Sequence, residues 1–415
     1  MRRWLLIPLV ALLGAAAMTG LRTVSVSAHG EIAQEGFVRM QSLAWWDVKF
    51  SKSDLAQNDN MVISGTAKVL ETWPSNMSDG NPKICYLTVV EPGSRFVLVD
   101  RKINGQETPQ SFFCGKGGVY NFQMTLRARD PGNWHVHPAV AVKEAGTLIG
   151  PGQYINITSA PGGFTFPLTL LNGKTIDVEG YATWLILGFS ALTLVLGMWW
   201  MFYWTVPGGI KRTITRLRVA NELPLNQDGG PAVGIITKAD HRHMGIITGV
   251  TVIITGVGFL WASIHYSGNI PLQVQWVTPP AAATSASLGT AQATNAIYDP
   301  NANTVQVVTT VTNTSTRPLQ VSSFRTGNLT FLNPLAGLPH GDYEFQIKSL
   351  SPQDPIAPGQ TQQVTVTLDA QVLKNQELLP LGQAQYVVAG VLELTDGQGT
   401  RNFDTVQADL NPTST

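Results

Sequence analysis

Seven histidines are the side chains of this 415-residue chain best suited to hold a metal ion, and two of them stand two positions apart in Trp134-His135-Val136-His137. Side chains two apart on a β-strand leave from the same face, so His135 and His137 would present their imidazoles side by side. Alone, H-x-H is a weak signal, since chance pairs on strand faces are common. His29 changes the weighing. It follows Val26-Ser27-Ala28, a small-residue cleavage site behind a basic start (Arg2, Arg3) and an apolar run from Trp4 to Ala17. Cutting after Ala28 would make His29 the first residue of the mature chain. A cut after Ala17, or retention of the segment as an anchor, is also allowed by composition.

A terminal histidine chelates with two nitrogens, its ring and its α-amine, whose pKa near about 8 lets a metal displace the proton at neutral pH. With His135 and His137 the set becomes three imidazoles and one amine. All-nitrogen coordination without thiolate favours Cu(II) over zinc or iron. His29, His135 and His137 are therefore the expected ligands and copper the expected metal. His241, His243, His265 and His340 have bland explanations at segment ends or in a loop. No Ser/His/Asp arrangement with supporting context, G-x-S-x-G or phosphate-binding glycine loop is present, so hydrolase and nucleotide-dependent chemistry gain no support.

The elements that must position these histidines are legible in composition and pattern. Charged residues make up 13% of the chain, about half the usual share, which calls for long uncharged stretches. Acids and bases balance at 27 each, leaving no basic field for nucleic acid. Gly (40) and Pro (25) fall among short Val/Thr/Ile/Leu runs such as Met61-Val62-Ile63-Ser64-Gly65 and Gln363-Val364-Thr365-Val366-Thr367-Leu368, the pattern of β domains rich in turns. Asn104-Gly105 is good turn chemistry. Cys85 and Cys114 make no metal motif; in an exported chain they would form one disulfide or remain as two buried thiols.

Two stretches, 182–204 and 244–264, are uncharged and long enough to cross about 30 Å of hydrocarbon, with Trp and Tyr at their ends. Between them lie Lys211, Arg212, Arg216, Arg218, Lys238 and Arg242, whereas the outer flanks hold few bases. The positive-inside rule then puts the connector in the cytoplasm and both β regions outside, as the export signal independently requires. Gly245 and Gly249 form a G-x-x-x-G, read as close helix contact or as ordinary membrane-helix glycine. The expected organisation is a signal peptide (1–28), a β domain (29–181), a first span (182–204), a connector (205–243), a second span (244–264), a linker (265–294) and a second β domain (295–415).

Several blocks in order resemble the B subunit of particulate methane monooxygenase and bacterial ammonia monooxygenase, the copper membrane monooxygenase family. They are His29-Gly30-Glu31, Trp45-Trp46-Asp47, Glu71-Thr72-Trp73-Pro74, Arg127-Ala128-Arg129-Asp130-Pro131-Gly132-Asn133-Trp134-His135-Val136-His137, Ile149-Gly150-Pro151-Gly152, the run from Pro167 to Asp177, and Ile270-Pro271-Leu272-Gln273. The resemblance implies a mainly β fold: two cupredoxin-like β-sandwich domains joined by two transmembrane helices in the cell membrane, with both large domains extracytoplasmic. It also implies copper at His29, His135 and His137, and assembly with two other integral-membrane subunits as a trimer of heterotrimers. Some members carry a further copper site at histidines that align with Ala44 and Lys68. Alanine offers no donor and lysine is a cation at neutral pH, so that site is expected to be absent. The cysteine pair is foreign to the family pattern and suggests a divergent branch, with a short hydrocarbon as the favoured substrate over methane or ammonia.

The implied activity is hydroxylation of a small substrate with O₂ by the whole complex, and this chain need not hold the O₂-activating centre. A membrane-anchored copper carrier or store is the rival reading; two spans and a second β domain exceed what a carrier requires. Glu31 and Trp134 are candidates to support the ligands, although packing or solvation explains each equally well.

Overall fold

The computed structural model describes residues 40–73, 83–108, 111–143, 146–170, 173–205, 238–265, 277–282, 287–339, 341, 344–376, 378–379 and 386–412. His29, Glu31, His340, the signal segment and most of the connector lie outside these residues. The side chain of His265 does too.

The first β region contributes β1 (Leu43–Phe50), β2 (Asp54–Ala56), β3 (Asn60–Val69), β4 (Lys83–Val90), β5 (Phe96–Ile103), β6 (Gln106–Glu107), β7 (Ser111–Cys114), β8 (Val119–Ala128), β9 (Gly132–Val142), β10 (Gly146–Ile149) and β11 (Gln153–Thr158). Period-2 alternation explains the strands. Met61 and Ile63 on β3, and Phe122, Met124 and Leu126 on β8, are buried while their neighbours are not. Among the described residues one sheet runs β1, β3, β8, β5, β6. The other runs β2, β11, β9, β4, β7, with β10 on β9. Apolar residues from both sheets, among them Trp45, Ile63, Leu126, Val136 and Ile155, share one core, which makes the region a β-sandwich. Asn104 and Gly105 turn β5 into β6, both at positive φ. β9 lies between β11 and β4, and the histidines sit where its pairing changes edge: His135 is opposite Tyr154 of β11, and His137 is opposite Val90 of β4.

Cys85 on β4 and Cys114 on β7 form a disulfide with Cα atoms 5.9 Å apart, within the span such bridges need. Of the two readings open from the sequence, the paired one holds. The adjacent strands are antiparallel, with Cys85 opposite Phe112 and Lys83 opposite Cys114.

A short ribbon of β12 (Pro167–Thr169) and β13 (Thr175–Asp177) leads into helix α1 (Val178–Thr205), and α2 (Lys238–His265) follows. The described residues of this segment fall in a unit of their own within 163–273. Both helices are long and apolar enough to cross a membrane. Each outruns the apolar stretch that marked it. α2 starts at Lys238, more than a turn before Met244, because backbone hydrogen bonding continues past the hydrocarbon-length segment and Asp240 suits a helix N-terminus. A Cβ at Gly245 or Gly249 would meet nothing within 4 Å among the described residues. Among the described residues of this chain, therefore, no helix packs closely on the G-x-x-x-G.

The second β region comprises β14 (Gly289–Asp299), β15 (Thr304–Asn313), β16 (Leu319–Thr326), β17 (Leu329–Leu332), β18 (Glu344–Gln346), β19 (Ser349–Ser351), β20 (Thr361–Asp369), helix α3 (Ala370–Asn375), β21 (Val387–Asp396) and β22 (Arg401–Pro412). β14 begins inside the segment expected to be linker. Among the described residues the strands form one nine-membered order, β18, β17, β16, β21, β22, β14, β15, β20, β19. Val307 and Val366 from one part of it meet Phe324, Phe331 and Leu392 from the other in a single core, so the sheet folds over itself.

The two β regions cluster as one unit. Trp46 on β1 stacks on Phe403 of β22, with centroids 4.6 Å apart. Arg401 grips both carboxylate oxygens of Asp47 at 2.8 and 2.9 Å. Arg401 also meets Glu393, whose other oxygen accepts from Arg325 at 2.8 Å and from Ser323.

Replacing Cys85 and Cys114 together by Ala should cost about 3–4 kcal/mol, the unfolded-chain entropy a bridge across 29 residues removes. Denaturant unfolding of the full chain in detergent, with and without reductant, measures it. A wild-type midpoint would mean that strand pairing already closes this loop.

Candidate metal centre

β9 delivers both histidines to one face. His135 Nδ1 and His137 Nε2 lie 3.0 Å apart, and the rings meet edge to face with centroids 4.3 Å apart. Two nitrogens bound to one cation at about 2.0–2.1 Å and about 90° would stand about 2.9 Å apart, so the two nitrogens of this ring–ring hydrogen bond are close enough to share one cation once the proton between them is displaced. His137 is buried and its Nδ1 lies 2.9 Å from the carbonyl oxygen of Gly150. A carbonyl only accepts, which assigns the proton to Nδ1 and leaves the Nε2 lone pair toward His135. His135 is half-buried and stacks on Tyr154, its cross-strand partner on β11, at 4.5 Å.

The loop from β10 to β11 makes room for the buried ring. A Cβ on Gly152 would fall 2.4 Å from two ring atoms of His137, and a Cβ on Gly150 would crowd Trp45 at 2.9 Å. Gly152 and Tyr154 were not singled out as site residues from the sequence. Their signal was the Ile149-Gly150-Pro151-Gly152 block, whose glycines are explained by the ring they accommodate.

Trp134 belongs to the other face. Its ring packs against the sandwich core, its Nε1 donates to the Asp130 carbonyl at 2.8 Å, and the Arg95 guanidinium lies 4.3 Å over it. Arg95 in turn pairs with Asp130 at 2.7 Å. Gly132, at φ +139°, starts β9 beneath that indole. The Arg127–His137 block is thus half anchor and half ligand face. Beneath the anchor, Glu91 Oε1 accepts from the amides of Arg95 and Phe96 at 3.0 and 3.2 Å. Its Oε2 is buried without a hydrogen-bond partner among the described residues. Burial pushes the Glu91 carboxyl up to about 7, against the pull of the two amides and the Arg95 charge.

Among the described residues no third His, Cys, Asp or Glu completes a cluster around the pair, and His29 lies outside them. Ala44 and Lys68 are direct cross-strand partners on β1 and β3. Burial holds the Lys68 amine below its ordinary value, opposed by Asp404 and Glu71. His243 sits elsewhere, its ring 4.2 Å from Tyr203, whose hydroxyl donates to buried Asp240.

A mainly β chain with two apolar helices long enough to span a membrane and a paired-imidazole face is the class that fold and site define. The sequence matches the family of monooxygenase B-subunit proteins over residues 30–414. It is 30% identical, over 97% of this chain and 96% of the relative, to the particulate methane monooxygenase alpha subunit of Methylococcus capsulatus (Bath). The chain belongs to the monooxygenase B-subunit family and is a membrane-associated monooxygenase subunit. Among solved structures, the cupredoxin domain of amoB from Nitrosocaldus yellowstonii is 15% identical with a TM-score of 0.24, covering 32% of this chain and 99% of that one. The PapD-like domain 7 of human CEP192 is 14% identical with a TM-score of 0.17, covering 35% and 96%.

Gly152→Ala should displace the His137 ring and cost about 1–3 kcal/mol of overpacking, read as a lower unfolding midpoint; an unchanged midpoint would mean that the ring yields freely. The Glu91 carboxyl has a raised folded pKa, so its contribution to stability is full below about 4.5 and is lost as pH rises through about 7. Its total is of order 3 kcal/mol. Glu91→Gln should flatten that fall in a pH series of thermal unfolding, and an unaltered slope would assign it to other groups.

Proposed function

We propose that this chain is the copper-binding subunit of a membrane-bound monooxygenase complex that hydroxylates a small substrate with O₂. The observation carrying this reading is the imidazole pair, 3.0 Å apart, with His137 held by a backbone carbonyl and the two residues set in register by β11 at His135 and β4 at His137. The metal set is His29, His135 and His137, with the α-amine of His29 as the fourth nitrogen. Copper, when bound, supplies a redox-active, Lewis-acidic centre. The protein's own part is definite. Donation from His137 Nδ1 to Gly150 fixes the ring and raises the basicity of Nε2. Stacking on Tyr154 holds His135 at the edge of the buried ring, and both imidazoles must be neutral to bind.

The signal peptide (1–28) is removed, both β domains (29–181 and 295–415) are extracytoplasmic and cupredoxin-like, and residues 205–243 face the cytoplasm. The partners are two other integral-membrane subunits, A and C, in a trimer of heterotrimers. The substrate class is methane, ammonia or a short hydrocarbon, and the foreign disulfide favours a short hydrocarbon.

His137→Ala should weaken copper binding by more than the roughly 10–100-fold that loss of a supporting contact costs, with the circular dichroism of the full chain unchanged. The chain is purified from membranes with its copurifying subunits, its copper is counted by elemental analysis and its N-terminus is sequenced. Wild-type copper in the variant, or a mature chain beginning elsewhere than His29, would defeat the site. Copper on a chain that copurifies with no other subunit would favour a carrier instead.

A further inference from the structure

Phe164, Phe166, Leu168 and Leu170 alternate along the segment that leads into α1. In the β12–β13 ribbon Leu168 faces Ile176 and Thr169 faces Thr175. One face is therefore apolar, while the other carries two threonine hydroxyls 3.1 Å apart. Phe166 extends the apolar face and its ring lies parallel to that of Phe164, 6.5 Å away. Leu168 is 45% exposed. A two-stranded ribbon is marginal in water on its own, and no third strand joins this one among the described residues.

What covers the face follows from where the ribbon is tied. Asp177 accepts from the Phe166 amide at 2.8 Å and, as the cap of α1, from the Gly180 amide at 3.2 Å. The Val178 amide donates to the Phe166 carbonyl at 2.9 Å. These bonds clamp the ribbon to the first turn of the helix. α1 has 28 residues, a length of ~42 Å, against about 40–45 Å for a bilayer with its headgroups. A helix of that length crossing the membrane puts its first turn, and the ribbon with it, at headgroup level. The outer edges of a two-stranded ribbon carry backbone groups that hydrocarbon cannot satisfy, which bars deeper insertion. Water among the headgroups satisfies them while Phe and Leu side chains reach the acyl boundary.

We infer that the β12–β13 ribbon is an interfacial anchor, its Phe166, Leu168 and Ile176 face seated on the headgroup–acyl boundary of the bilayer and its Thr169 and Thr175 face in water.

The test uses nitroxide labels on single cysteines, Leu168→Cys, Ile176→Cys and Thr169→Cys, in the full chain with its copurifying subunits in phosphatidylcholine vesicles. The two native cysteines of this chain are consumed in their disulfide, so within it only the introduced thiol reacts, and label taken up by the other subunits is measured on the parent complex and subtracted. Collision with oxygen should exceed collision with a water-soluble nickel chelate several-fold at 168 and 176, and the order should reverse at 169. Nickel dominating at all three positions would place the ribbon in water and overturn the proposal. A label at 168 and 176 reached by neither reagent would assign the face to a partner subunit and overturn it equally.

Discussion

The hydrogen bond from His137 Nδ1 to the Gly150 carbonyl sets the terms for everything around it. It is buried, so breaking it would leave a ring nitrogen and a carbonyl unsatisfied away from water, a penalty of roughly 1–3 kcal/mol for each group. It fixes which nitrogen carries the proton, and therefore which lone pair is offered to His135. It also demands a particular loop. Gly150 must bring its carbonyl to the ring without a side chain that would strike Trp45, and Gly152 must pass where a Cβ would enter the imidazole. The Gly150 amide donates to the Pro138 carbonyl of β9 at 2.8 Å, which keeps the carbonyl and the ring from drifting apart. The His137 ring is held by backbone, which cannot change rotamer, whereas His135 leans on the Tyr154 side chain.

Much of this was legible in the sequence, for a reason that also marks the limit. The same-face placement of His135 and His137 follows from the two-residue period of a strand, a property of local geometry. The helices followed from hydropathy, and the sheets from alternation such as that of Met61 and Ile63. Sheet order is different: that β9 lies between β11 and β4, or that β22 pairs with β14 in parallel, depends on pairings far apart in the chain. The same holds for Cys85 and Cys114, where spacing left two readings and only the adjacency of β4 and β7 decides between them. Trp134 illustrates the limit most sharply. Its position beside His135 suggested support for the ligand, yet alternation sends it to the opposite face, where it is an anchor under Arg95.

The Trp45-Trp46-Asp47 block has a comparable division of labour. Trp45 points into the core of the first β region, where it packs edge-on to Phe122. Trp46 points out of it and stacks on Phe403 of the second. Asp47, at φ +52°, breaks the register of β1 against β3 and turns its carboxylate to Arg401. Three consecutive residues thus serve one core, one interface and one ion pair. Residues just ahead of them cross the same boundary, since Met40 is buried in the core of the second region beside Tyr386.

The ions at this joint form a group whose charges cancel: Asp47 and Glu393 against Arg325 and Arg401. Glu393 is fully buried, and its carboxyl is nonetheless held below the ordinary range, because two guanidinium groups and Ser323 outweigh the burial that would raise it. A buried ion pair is weak evidence for stability as such, because desolvation offsets most of the attraction. Its geometric demand is strict, however. Arg401 must face Glu393 on its own sheet and Asp47 on the other region at once, with Phe403 4.7 Å beneath its guanidinium. An apolar joint would tolerate sliding between the two β regions, whereas this one is satisfied in a single register. The strand that carries the joint, β1, is also the one that supplies Trp45, against which Gly150 is packed. The registration of the two regions and the seating of the His137 ring therefore converge on one strand, β1.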